Sequence, residues 1–408
     1  MNASNWSVEY SCPQCGGPIS LEETDRLVTC PFCRTRVYLV AEDSFRYLLP
    51  PAEGISQPLH FIPYWRLKGL TFLFQPTGIA ARFTDASFLS LRHRGLPPSL
   101  GLRPQAMKLQ FVTSRVSGRF LSSDRTIRDF LPLLAAQDGN AAALRAFVGE
   151  TVSRIYAPFY FRDGRLYDAL LKRAVPTATD LDPSAIEGAP EISPWNVSFV
   201  STLCPSCGWD LQGEKDALVL VCRNCGSLWQ CRRAGLERIP FASLADGPAP
   251  LHYLPFWRMK VRMEGLELSS LADLVRIANL PRAISPELRN TPIYFWSPAF
   301  KINPAQFLRW GRQMTIAQPS GESPDHLPEG TLYPVTLPVT EALEGIRVTL
   351  FGIATNKRQA LSVLPGIRIF PEESLLVYHP FHPGSRELVH SRMGLTVDRT
   401  AMSYSTQL

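Results

Sequence analysis

Eight of the nine cysteines fall into two sets, Cys12, Cys15, Cys30 and Cys33, then Cys204, Cys207, Cys222 and Cys225. Each set is a pair of Cys-x-x-Cys steps, and two such steps facing one another offer four thiolates to one tetrahedral ion at about 2.3 Å. Zn2+ suits that arrangement because its filled d shell imposes no geometry of its own. Four sulfurs leave no position open for water or substrate, so the spacing predicts two structural Zn2+ per chain rather than catalytic ions. A single iron per set is the alternative. Cys231 has no counterpart in the first set and reads as a buried free thiol, with a reactive or substitute-ligand role as its alternative.

A shift of 192 residues carries the first set onto the second without a gap. The same shift carries His60, Pro63, Trp65, Arg66 and Lys68 onto His252, Pro255, Trp257, Arg258 and Lys260. The two histidines recur in register, but each set already has four sulfurs, so packing at the junction with the next segment is the expected role. Strict alternation puts Arg66 and Lys68, and likewise Arg258 and Lys260, on one face of a strand, with Trp65 or Trp257 on the other. That face is either a solvated side or an anion or nucleic-acid contact. His379, His382 and His390 gather near the C-terminus at a spacing that fits no helical metal pair.

The elements that position these residues are legible in outline. Val8–Tyr10, Leu27–Thr29 and Val219–Val221 read as strands, the last two returning the second cysteine pair to the first. Asp163-Gly164 is a hairpin turn inside the apolar run Tyr156–Tyr167, and Tyr378–Pro383 echoes it. Asn303 followed by Pro304 marks a helix start, predicting a helix over about 304–314. Helices are also expected at Asp124–Leu134, capped by Asp124, and at Asn140–Val148. Pro98–Met107 matches Pro298–Phe307 at an offset of 200. The 36 prolines argue against long helices and for a β-rich α+β body.

These features predict two tandem repeats, each a ribbon packed on a mixed α/β body. The expected ranges are 1–50 for ribbon one, 51–175 for its body, 176–194 for a linker rich in proline, alanine and acid, 195–245 for ribbon two and 246–408 for its body. Each repeat is expected to fold by itself. At 45% apolar and 19% charged residues, the composition is that of a globular chain. No apolar run reaches the length of a membrane span, and the start, MNASNWSVEYSC, has neither a basic nor an apolar leader. A cytoplasmic protein is expected, whose cysteines serve as thiolates rather than disulfides.

At the cysteines the sequence resembles the zinc-ribbon proteins, the rubredoxin-like four-cysteine ribbons. The resemblance covers residues 12–33 and 204–225 with their flanks and implies fold and metal. Members of that family bind nucleic acid, dock on other proteins or stiffen a domain, so it leaves activity open. Charge weighs on the choice. Net charge is +6, yet the first ribbon is slightly acidic and the basic excess lies in residues 60–130 (+8) and 251–316 (+5). The leading expectation is a non-catalytic zinc-binding scaffold or adaptor that docks on protein partners. The alternative is a nucleic-acid-binding protein using the two basic segments. Without a P-loop, an H-E-x-x-H or a G-x-S-x-G motif, an enzyme with its site between the repeats is the least supported class.

Overall fold

The computed structural model describes residues 7–41, 44–101, 109–113, 116–130, 144–178, 183–192, 197–232, 235–244, 251–390, 392–400 and 402. In the first half, ribbon strands β1 (Ser7–Ser11), β2 (Pro18–Glu22), β3 (Leu27–Thr29) and β4 (Arg36–Val40) lead to β5 (Phe45–Leu48). The long strands β6 (His60–Gln75) and β7 (Gly78–Leu89) follow, with short β8 (Leu109–Phe111) and β9 (Arg119–Phe120). Strands β10 (Arg145–Arg162), β11 (Arg165–Asp168) and β12 (Arg173–Ala174) and helix α1 (Pro183–Glu187) close that half.

The second half begins with β13 (Ser198–Ser201), β14 (Val219–Cys222), β15 (Ser227–Arg232), β16 (Gly235–Arg238) and β17 (Phe241–Ser243). Strand β18 (His252–Glu264) precedes α2 (Leu271–Ile277), α3 (Pro286–Asn290), β19 (Phe295–Pro298) and α4 (Pro304–Ala317). Then come β20 (Ser323–Pro324), β21 (Thr331–Leu332), α5 (Val339–Ile353), α6 (Lys357–Val363), β22 (Arg368–Pro383), β23 (Glu387–His390) and β24 (Leu395–Asp398). The fold is α+β and β-rich, as expected. No helix among the described residues is long and apolar enough to cross a membrane.

A 10-stranded and an 8-stranded sheet carry the two halves. In the first, β6 lies antiparallel to β10 with Pro63 opposite Tyr156, and in the second β18 lies antiparallel to β22 with Pro255 opposite Tyr378. Both pairs carry a bulge, between Gly149 and Thr151 in one and between Lys260 and Val261 in the other. Parallel pairings also correspond: β5 with β10 and β17 with β22, then β9 with β6 starting at His60 and β21 with β18 starting at His252.

Local chemistry explains the elements that matches the sequence reading. Asn303 Oδ1 accepts the Gln306 amide at 2.9 Å, Pro304 occupies the first turn of α4, and the helix runs to Ala317 before Gln318 turns left-handed at φ 46°. Its buried residues Phe307, Trp310, Gly311 and Met314 follow the helical repeat and form one face. The Asp163-Gly164 turn takes positive φ at both residues, the twist that joins β10 to β11 as a hairpin.

Two helix expectations are corrected. Asp124 caps nothing; its carboxylate accepts the Arg92 amide, and the only helical turn described there is Ile127–Asp129, led by a Thr126–Asp129 capping box. Residues 131–134 lie outside the described ones. Arg145–Val148 is strand, the start of β10, because Ala146 and Val148 pair with Phe72 and Leu70 of β6 and this long-range pairing overrides local helix preference. Residues 140–143 and the match through Pro104 to Met107 also lie outside the described ones.

The two halves share a core. Leu70, Phe72, Phe74 and Val148, at the far ends of β6 and β10, belong to the same apolar cluster as Phe307 of α4 and Ala342, Ile346 and Phe351 of α5. The ring centroids of Phe72 and Phe307 are 5.9 Å apart, and those of Phe74 and Phe351 5.0 Å. Ribbon two adds β13 to the edge of β4, and the Arg26 and Leu27 amides donate to the Lys215 carbonyl. Residues 183–192 lie on the first body: Ile186 is buried in its core, and the amides of Ser122 and Ile192 bond to Pro190 and Phe120 carbonyls.

Candidate metal centres

Each cysteine set converges. Among the described residues, Cys12, Cys15, Cys30 and Cys33, and separately Cys204, Cys207, Cys222 and Cys225, bring their Sγ atoms within 4.8 Å of one another and could hold a metal ion. Sulfur separations are 3.7 Å for Cys12–Cys33, 3.6 Å for Cys15–Cys30, 3.7 Å for Cys204–Cys225 and 3.4 Å for Cys207–Cys222. A tetrahedron with bonds of about 2.3 Å sets its corners about 3.8 Å apart, so these are metal-site rather than disulfide distances. The donor set fits a closed four-thiolate ion.

Four equivalent turns build the two centres. In each, the residue after the second cysteine donates its amide to the carbonyl of the first: Gly16 to Cys12, Arg34 to Cys30, Gly208 to Cys204 and Gly226 to Cys222. That closure needs a left-handed residue, at φ 72°, 60°, 73° and 68° respectively. Glycine supplies three of them freely, whereas Arg34 holds the conformation at a steric cost.

A hydroxyl two residues past the last cysteine recurs in both sets, a signal legible in the sequence that spacing arguments about cysteine alone miss. Thr35 Oγ1 lies 3.3 Å from Cys33 Sγ, and the Thr35 hydroxyl and amide bring that thiol down to about 6. Ser227 Oγ lies 3.0 Å from Cys225 Sγ and 3.8 Å from Cys204 Sγ while accepting Trp229 Nε1 at 2.8 Å. Burial opposes ionisation of Cys204, but the Ser206 and Cys207 amides and this hydroxyl outweigh it and bring the thiol down to about 6. At Cys33 and Cys204 such polar neighbours favour the thiolate form that a metal needs, whereas burial pushes Cys222 up to about 12.

The centres are joined. Leu27, Tyr38 and Val40 of ribbon one pack with Leu211, Leu220 and Trp229 of ribbon two, and the ligands Cys204 and Cys222 are buried in the same cluster. Tyr38 Oη donates to the Ala217 carbonyl at 2.9 Å. Ribbon one is also anchored to the sheet beneath it. Glu23, in the turn after β2, is fully buried against Arg66, and the Ser153 hydroxyl donates to its other oxygen at 3.2 Å.

Among the basic residues of β6 and β18, Arg66 stands differently from the sequence expectation. Arg66 is 3% exposed and forms ion pairs with Glu23 and with Asp85 at 2.8 Å, so its reading as a solvated or anion-contacting cation is corrected. The cause is ribbon one, which covers that face of β6. Burial opposes ionisation of Glu23, yet the Arg66 guanidinium holds its carboxyl below the usual range. Lys68 is half-buried near the same carboxylate. Arg258 binds Glu322 at 2.7 Å and lies over the Tyr294 ring, and Lys260 binds Glu372 at 3.2 Å.

Among the histidines, His60 is buried edge-on to Phe161, and burial lowers its pKa and that of His252. His379 Nδ1 lies 3.2 Å from His390 Nε2 in a buried pair among Phe256, Trp296 and Phe381. Burial, and then His390, hold His379 well below the ordinary range. His382 does not join them in a ligand set. Cys231 is half-buried in the ribbon cluster, and burial pushes its thiol up to about 12, an environment that suppresses thiolate chemistry. Comparison with protein-family models, curated proteins and solved structures gives no match.

Proposed function

We propose that the chain is a duplicated zinc-ribbon scaffold that takes part in no catalysis itself and docks on protein partners in the cytoplasm. The observation that carries this reading is the pair of closed four-sulfur sets, which suit Zn2+ and leave no site for a reacting water. Two bound ions would lock the four-cysteine turns of the two ribbons. The matching pairings of β5, β6, β9 and β10 with β17, β18, β21 and β22 support a duplication, with residues 1–50 and 195–245 as ribbons, 51–175 and 246–408 as bodies and 176–194 as the connection. Docking is supported by apolar side chains left exposed beside the cysteines: Phe32 at 63%, Leu203 at 53% and Trp209 at 58%.

Metal analysis of protein purified without added metal tests the first part. Two zinc ions per chain are expected, and a stoichiometry near one, or iron in excess, overturns it. Affinity capture from the native cytoplasm, with and without nuclease, tests the second. A partner retained through nuclease treatment is expected, whereas release by nuclease would favour the nucleic-acid alternative through segments 60–130 and 251–316.

A further inference from the structure

An open groove of about 1040 Å³ lies in the first half between the end of β7, the loop that follows it and the turn at 125–130. Its floor is apolar: Leu89, Leu91 and Leu96 are buried there, and Phe88 and Phe130 stack beneath with centroids 5.2 Å apart. Its walls are basic. Arg92, Arg94 and Arg125 line it with His93, against a single carboxylate among the described lining residues, Asp129. That carboxylate is already engaged, since Oδ2 accepts the Thr126 amide and hydroxyl and Oδ1 lies 3.9 Å from the Arg92 guanidinium. The nearby Asp124 is held by the Arg92 amide. Thr177 closes one end by donating its hydroxyl to the Gly95 carbonyl at 3.0 Å.

We propose that this groove docks an acidic segment of a partner protein in which apolar side chains alternate with carboxylates. Guanidinium forks match carboxylates in geometry as well as charge. A leucine floor takes aliphatic side chains from the same segment and excludes water around the ion pairs. Single-stranded nucleic acid fits less well, because Phe130 is fully covered and Phe88 is 8% exposed, which leaves bases neither phenylalanine face to stack on. This inference rests on the protein-docking reading and names the chemistry of one docked segment.

The test uses the full-length protein and fluorescence anisotropy with four labelled probes: a short peptide alternating Glu and Leu, an all-Glu peptide of equal charge, a Lys-Leu peptide and oligo-dT. The Glu-Leu peptide is expected to bind, at least about tenfold more tightly than the all-Glu peptide, with no binding of the Lys-Leu peptide. Reversal of the two exposed arginines in Arg92→Glu/Arg94→Glu should weaken it at least about tenfold, while Arg282→Glu/Arg289→Glu on the other half should not. Circular dichroism confirms that each variant is folded. Absence of Glu-Leu binding, binding that survives the Arg92/Arg94 reversal, or equal binding of the all-Glu peptide overturns the proposal. Oligo-dT binding that exceeds the peptide's and is lost in the reversal overturns it in favour of nucleic acid. A nuclease-resistant partner still held by the reversed variant overturns the groove assignment alone; no partner on either protein overturns the docking reading itself.

Discussion

Arg66 illustrates how a charge read as surface becomes the tie between ribbon one and its sheet. It and Glu23 are 3% and 4% exposed, so removing Arg66 leaves a buried carboxylate without its guanidinium, whereas removing Glu23 leaves Arg66 its two-bond pair with Asp85. Arg66→Met should destabilise the protein by about 3 to 5 kcal/mol in urea unfolding, and Glu23→Leu/Arg66→Met should recover much of the loss because the carboxylate left behind, Asp85, is 35% exposed and can be hydrated. The folded pKa of Glu23 is depressed, so its contribution is present above the unfolded value and is lost as pH falls through the folded one. At the knuckles, the space beside Gly208 is empty, so a methyl group there meets only the backbone penalty of φ 73°. Gly208→Ala should cost about 1 kcal/mol, read as weaker zinc retention in chelator competition, whereas Arg34→Ala should cost nothing by this route because Arg34 is already strained.

At the scale of elements, helix α5 meets the bulge of β10 through one carboxyl group. The Gly149 amide donates to Glu341 Oε2 at 2.5 Å, and burial pushes Glu341 up to about 7, with Glu344 adding to the rise and the Gly149 bond opposing it. An unfolded glutamate ionises near 4.5, so between about 4.5 and about 7 the folded chain holds a proton that the unfolded chain lacks. Stability should therefore fall as pH rises through that window and level off above it. Glu341→Gln should flatten this dependence in thermal melts taken from pH 5 to 8, since glutamine still accepts the amide without a charge. The ribbons are coupled in a similar way. Cys204 and Cys222 pack with Leu27, Tyr38 and Val40, so Cys207→Ser should lose the second zinc and also weaken retention of the first, as metal titration would record.

The molecule as a whole is joined along two fronts, the ribbon pair with its β4–β13 pairing and the core where β6 and β10 reach α4 and α5. Cutting near residue 190 would expose Leu70, Phe72, Phe74 and Val148 on one piece and Phe307, Ile346 and Phe351 on the other. Fragments 1–190 and 191–408 should thus aggregate when expressed singly and recover solubility when co-expressed, which gel filtration would read. Independent solubility of both would show that the shared apolar surface is dispensable.

The sequence by itself determined what is local or repeated. Cysteine spacing specified both ligand sets, Asn303-Pro304 the start of α4, and Asp163-Gly164 a hairpin, because caps, turns and metal knuckles depend on neighbours a few residues away. The in-register alternation at His60–Lys68 and His252–Lys260 marked a strand at each, but not the strands that pair with it. Tertiary structure alone decided what covers each face. Strand alternation at Arg66 was legible, but the ribbon that buries it approaches from a turn at Glu23, and no pattern within β6 records that. The strand at Arg145–Val148 likewise depends on β6, and the union of the halves depends on apolar residues whose partners lie more than 150 positions away. Periodicity reports that a face is apolar or charged; only the assembled chain supplies its neighbour.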